Sequence, residues 1–211
     1  MCTGIGGWLT RAILKPMRVW SYCAADWWRT TRASSDVDPL VSPPYDHTNI
    51  EDELASASAA AELIVLNLHG FVGQPHLYGQ LNSVIGPTAL TAENVKRFDW
   101  SGKIVFMEVC FSAMDGGSTI ARAFLDAGAA AVIASTTEAY GRVKPTIFDG
   151  EADRLSYFFR KAYDKTRKPV RSLAIAKRWL RAISHPLDAD DKATLTSFVV
   201  LTRKEHGKQK N

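Results

Sequence analysis

Cysteine is scarce in this chain. Its 211 residues hold three, Cys2, Cys23 and Cys110, an odd number at wide spacing with no CxxC pair. That excludes a densely disulfide-stapled scaffold and a sulfur-based zinc site, and it favours a reducing compartment. Long apolar runs are absent as well. No stretch reaches the roughly 18 residues that a membrane span needs, and the first residues carry Pro16 and scattered Arg where a secretory leader would be cleanly apolar. The expectation is a cytoplasmic protein with no transmembrane span. Nor is there a large excess of one charge. Lys and Arg number 26 against 22 acidic residues, and a net charge of +4 is too mild by itself to call for nucleic acid. What is present is ordinary for a folded domain: 46% hydrophobic and 23% charged residues exclude a disordered or collagen-like chain. A chain of this length can bury one sizeable core.

Three segments divide the sequence. Residues 1–49 form a Trp-rich basic arm and a Pro/Ser-rich linker. Four of the six tryptophans (Trp8, Trp20, Trp27, Trp28) fall there beside Arg11, Lys15, Arg18 and Arg29, and residues 33–49 (ASSDVDPLVSPPYDHTN) read as loop. The aromatics suit either an arm packed on the domain or an interfacial helix, and Pro16 weighs against the helix. Residues 50–202 form the main domain, and residues 203–211 a polar basic tail.

Within the main domain, Thr48 or Asn49 caps a helix over Ile50–Ala61. Residues 63–68 (LIVLNL), 103–109 (KIVFMEV) and 129–134 are apolar runs of the kind that parallel strands covered on both faces require. A helix from about Ser118 to Ala127 links the second run to the third, which makes a βαβ unit. Helices over Gly150–Lys165 and Val170–Ile183 and a strand over Thr194–Leu201 complete the pattern. The predicted class is α/β: three layers, with a mostly parallel central sheet flanked by helices.

In such sheets ligands bind beyond the carboxyl ends of the strands. His69 and Cys110 are both placed there, and neighbouring parallel strands lie only about 4.8 Å apart. A thiol and an imidazole at one rim are the minimal set for nucleophilic catalysis: the thiolate attacks a carbonyl carbon and the imidazole manages protons. The backbone N–H groups of Gly70 and Cys110 would hold the resulting oxyanion.

The residues that carry these features resemble the caspase-like cysteine peptidases of clan CD, most nearly the CHAT-domain proteins. They are an apolar strand ending in His-Gly (LIVLNLHG, 63–70), a second strand ending in Glu-x-Cys-x-Ser (MEVCFSA, 107–113), and a third over DAGAAAVIAS (126–135). The similarity spans about residues 50–202. It implies a cysteine endopeptidase that acts through an acyl-enzyme, with Cys110 as nucleophile, His69 as the group handling the leaving amine's proton, Gly70 at the oxyanion site and a pocket beside the cysteine that selects the residue cleaved. The first strand that such a sheet calls for has only Met17–Cys23 as a candidate.

Other residues carry less. Asp115 and Glu138 are the candidates for a carboxylate facing a basic side chain in the pocket, with Asp149 and Glu151 beside them; for any single one a solvated loop or capping carboxylate is the favoured reading. Glu108, alternating with Val109, needs a partner if it is covered. His47, His76, His185 and His206 have no Cys or carboxylate at ligand spacing, so no metal and no cofactor is expected. Residues 141–181 hold twelve Lys or Arg against four acidic residues. Two amphipathic helices with basic solvated faces are the favoured account, and an acidic or regulatory protein, an RNA backbone or anionic lipid are the alternatives. The second functional reading is a catalytically silent caspase-like module acting through its N-terminal arm or these helices. The expected partner is a protein or peptide substrate, not nucleic acid.

Overall fold

The computed structural model describes residues 17–21, 40–81, 84–114, 119–139, 151–184 and 186–203. The strands are β1 (Met17–Ser21), β2 (Leu40–Val41), β3 (Leu63–Asn67), β4 (Leu77–Leu81), β5 (Val84–Leu90), β6 (Ile104–Glu108), β7 (Ala131–Ser135) and β8 (Phe198–Leu201). The helices are α1 (Glu51–Ala60), α2 (Ala92–Lys96), α3 (Thr119–Asp126), α4 (Glu151–Thr166), α5 (Pro169–Ile183) and α6 (Ala189–Ser197).

Six strands form the central sheet in the order β2-β1-β3-β6-β7-β8. All pairings are parallel except β7 with β8. The strand candidate at Met17–Cys23 is β1, which pairs along its whole length with β3. Residues 33–49, read as loop, contribute β2 at one edge of the sheet. Both strands precede residue 50.

Alternation along the strands explains why their sequences are almost wholly apolar. Ile64, Leu66, Val105, Met107, Val132 and Ala134 pack on one face with Leu54 of α1, Val95 of α2 and Ile120 and Phe124 of α3. Leu63, Val65, Ile104, Phe106, Ala131 and Ile133 face the other way, against Leu155 and Phe159 of α4, Leu173 and Leu180 of α5 and Leu195 of α6. With period 2 in a strand and cover on both sides, each residue must be apolar. The result is a helix–sheet–helix sandwich, the α/β class expected.

Several local expectations change. At α1 the N-cap position is Ile50, and no side chain caps it. Asn49 instead accepts from Asp46 N and donates to Pro44 O, and Thr48 donates to Asp46, so these polar groups close the preceding turn. Thr194–Ser197 is helical, belonging to α6, whose Asp188 cap accepts from Asp191 N; the last strand begins at Phe198. The β4–β5 hairpin, a separate two-stranded antiparallel sheet, and α2, closed by a Thr91–Asn94 capping box, were not foreseen.

Candidate active site

β3 and β6 are neighbours in parallel register, with Asn67 opposite Glu108. Beyond each strand comes one buried apolar residue, Leu68 or Val109, and then His69 or Cys110. Each is thus the second residue past its strand rather than the first, and both leave the sheet at the same level. The two exits also touch. A Cβ placed on Gly70 would lie 2.5 Å from the Cys110 carbonyl oxygen and 2.5 Å from Val109 Cγ1, well inside van der Waals contact. Only glycine lets the chain that follows His69 lie against the chain that carries Cys110.

The unforeseen hairpin holds His69. His69 N donates to Tyr78 O at 2.9 Å and Tyr78 N to His69 O at 3.0 Å, an antiparallel bridge between the end of β3 and β4. In such a ladder residue i reaches the diagonal neighbour j+2 on the same face, which for His69 is Gln80. His69 Nε2 lies 2.8 Å from Gln80 Oε1. On the other diagonal, the Phe71 ring meets Tyr78 edge-on at 5.6 Å. The hairpin is anchored in turn by Gln80 N donating to Ser42 O at 3.1 Å.

Cys110 is held from the β7 side. Phe111 N donates to Thr137 O (2.8 Å) and Ala113 N to Ser135 O (2.7 Å). Ser112 Oγ donates to Val109 O (2.8 Å) and accepts from Ser135 N (3.0 Å). These bonds hold Phe111 at φ +57°, a left-handed conformation that a bulky residue keeps only when its surroundings impose it. The thiol itself is half-buried and accepts from Ala139 N at 3.3 Å.

Burial is the main influence on this thiol and pushes its pKa up. The Ala139 N–H pulls the other way, the Glu138 carboxylate raises it again, and the N–H of Cys110 itself lowers it. The net direction is upward, so at neutral pH the sulfur carries its proton. A nucleophilic role then needs a base to remove that proton at the moment of attack, which differs from cysteines held as thiolates beside a cation.

The arrangement therefore sets Gly70, the neighbour of His69, against Cys110, and sets Glu138, exposed, close enough to influence the sulfur. Asp115 and Asp149, like His185, His206, Cys2 and Cys23, lie outside the described residues. Glu108 is buried in the sheet. His47 is engaged with Thr88 O through both its main chain and its ring. Sequence reasoning missed Gln80 and the Ala139 N–H. The first depends on an unrecognised hairpin, and a backbone donor has no side-chain signal.

Among the described residues no group of three or more His, Cys, Asp or Glu is placed to hold a metal ion, and no helix is long and apolar enough to cross a membrane. At least three of the twelve basic residues of the 141–181 stretch are bonded within the fold. Arg154 pairs with Asp191 at 3.1 Å, Arg167 with Glu62 at 3.1 Å, and Lys177 donates to Phe198 O at 2.7 Å.

No protein-family profile and no curated protein matches this sequence. Among solved structures the chain is similar to a secreted C11 cysteine protease from Bacteroides thetaiotaomicron in complex with an irreversible peptide inhibitor. The identity is 13% and the TM-score 0.43, over 75% of this chain and 56% of that one. It is also similar to a protease at 13% identity and a TM-score of 0.48, over 88% of this chain and 46% of that one. The chain thus spans about half the length of these two proteins.

Proposed function

We propose that this chain is a cysteine endopeptidase of the caspase-like kind, working through a Cys110–His69 dyad. The observation that carries the reading is the convergence of the β3 and β6 exits, with Gly70 packed on the Cys110 carbonyl. In the first half-reaction His69 takes the thiol proton as the sulfur bonds to the scissile carbonyl carbon. The tetrahedral oxyanion is held by the Gly70 and Cys110 N–H groups, and the C–N bond then breaks as His69 returns the proton to the leaving amine. In the second half-reaction His69 deprotonates a water that attacks the thioester. The carboxylic acid departs and the thiol regains its proton. Glu138, exposed beside the cysteine, is the candidate carboxylate for a basic side chain at the scissile residue, with Asp115 the other. A peptide-library screen of wild type beside Cys110→Ala tests this: cleavage after a restricted set of residues, lost in the variant, is expected, and cleavage that survives in Cys110→Ala refutes it.

One observation favours a second reading, a catalytically silent module of the same fold: burial and Glu138 both raise the thiol. That reading expects no cleavage by either protein and a binding function that Cys110→Ala leaves intact.

A further inference from the structure

The main chain and side chain of His69 are both held by one strand of the hairpin. The backbone bridge to Tyr78 fixes where the residue sits, and the contact of its ring with Gln80 fixes how the ring is turned. An imidazole that is to accept a thiol proton must be neutral, with one nitrogen protonated and the other bearing the lone pair. Gln80 Oε1 is an acceptor. With that oxygen 2.8 Å from Nε2, the hydrogen bond forms in the tautomer that carries the proton on Nε2, and in that tautomer Nδ1 is the basic nitrogen. The orienting group in such dyads and triads acts by holding one tautomer, and holding the wrong one can abolish turnover while the fold is untouched.

Gln80 is itself well placed to be rigid. Its backbone N–H is bonded to Ser42 O. The residue before it, Gly79, lies so close to the Ser42 main chain that a Cβ would collide with it. β4 is thereby pressed against the turn that follows β2, and the amide of Gln80 is presented from a paired strand rather than from a free loop. Precise positioning of a catalytic group calls for this kind of support.

We propose that Gln80 is the positioning residue of the site: by accepting from His69 Nε2–H it holds the imidazole in the tautomer whose Nδ1 takes the Cys110 proton. The inference rests on the peptidase reading for its purpose but not for its test. The structural consequence is read by ¹⁵N NMR of the imidazole in the intact chain, a measurement that needs no turnover. The expected result for wild type is a protonated Nε2 and an unprotonated Nδ1 in neutral His69. Gln80→Met keeps the length of the side chain without the acceptor and is expected to give mixed tautomers. Gln80→Glu, which keeps an acceptor, is expected to restore the Nε2–H form. In turnover, Gln80→Met should lower kcat about tenfold, the scale of one ordinary hydrogen bond, with KM little changed. A wild-type His69 protonated on Nδ1, or a tautomer balance that Gln80→Met leaves unaltered, overturns the inference. Neither result bears on whether Cys110 cleaves peptides, and a silent Cys110 would leave the tautomer result standing.

Discussion

Adding one methyl group at Gly70 tests the geometry of the site more sharply than removing its polar groups. In Gly70→Ala the new Cβ meets the Cys110 carbonyl oxygen and Val109 Cγ1, both at 2.5 Å. Ordinary contact begins at 3.4 Å, so the two segments must part by about 0.9 Å. Neither neighbour yields easily. One is main chain, and the other is a branched side chain with 1% of its surface exposed. Backbone strain does not contribute, because Gly70 is not left-handed. Overpacking of this kind costs about 1–3 kcal/mol, which for a chain of this size lowers Tm by about 2–12 °C. A displacement near 1 Å at the reacting groups costs on the order of 100-fold in turnover. Gly73→Ala is the control. Gly73 has φ +73° with nothing within 4 Å of the new Cβ, so that substitution costs about 1–2 kcal/mol in conformational strain without moving Cys110. Differential scanning calorimetry and initial cleavage rates on both variants separate the effects. Gly70→Ala should lose both stability and rate, and Gly73→Ala stability alone. A Gly70→Ala protein with wild-type Tm and wild-type rate would show that the two strand exits do not touch, and the reasoning would fail.

Three further outcomes follow from other parts of the molecule. Glu138→Gln removes a carboxylate that raises the Cys110 thiol, so alkylation of Cys110 followed against pH should shift to lower pH; no shift would mean that Glu138 does not face the sulfur. Phe106, fully buried between Phe159 and Phe198 at ring distances of 5.1 and 5.6 Å, should cost about 3–5 kcal/mol as Phe106→Ala, measured by urea unfolding, and a loss under 1 kcal/mol would contradict the packing of Phe159 of α4 and Phe198 of β8 around it. Burial first, then the charge and hydrogen bond of Glu62, push the Tyr163 hydroxyl up to about 12 from 10.0. The folded state therefore keeps a proton that the unfolded chain has lost, and the stability this gives is whole below pH 10 and lost as pH rises to about 12. A near-UV absorbance titration should show the Tyr163 tyrosinate forming late in wild type and earlier in Glu62→Gln, and an unchanged position in the variant would contradict the Glu62 contact.

What could be read from the sequence was set by how strongly each element is buried. β3, β6 and β7 are covered on both faces, so their runs are apolar at every position but the last, Asn67, Glu108 and Ser135, and stand out in the sequence. α4 and α5 declare themselves through the apolar stripe and the Pro169 that opens α5. The hairpin stayed hidden because Gly79 interrupts β4 and Gly86-Pro87 interrupts β5, residues that weaken any strand pattern. Thr194–Ser197 looked like strand because it runs into Phe198–Leu201 without a break, yet the Asp188 cap starts a helix that carries through it. His69 and Cys110 stood out because they end obvious strands. Gln80 did not, since its link to His69 exists only once the hairpin is formed.

Peptidase activity requires that Cys110 and His69 act on one bound peptide. The most direct measurement is mass-spectrometric mapping of the adduct formed by a peptidyl acyloxymethyl ketone on wild type, His69→Ala and Cys110→Ala. The prediction is a single adduct on Cys110 in wild type and none in either variant. Labelling spread over Cys2, Cys23 and Cys110, and undiminished in His69→Ala, would contradict it.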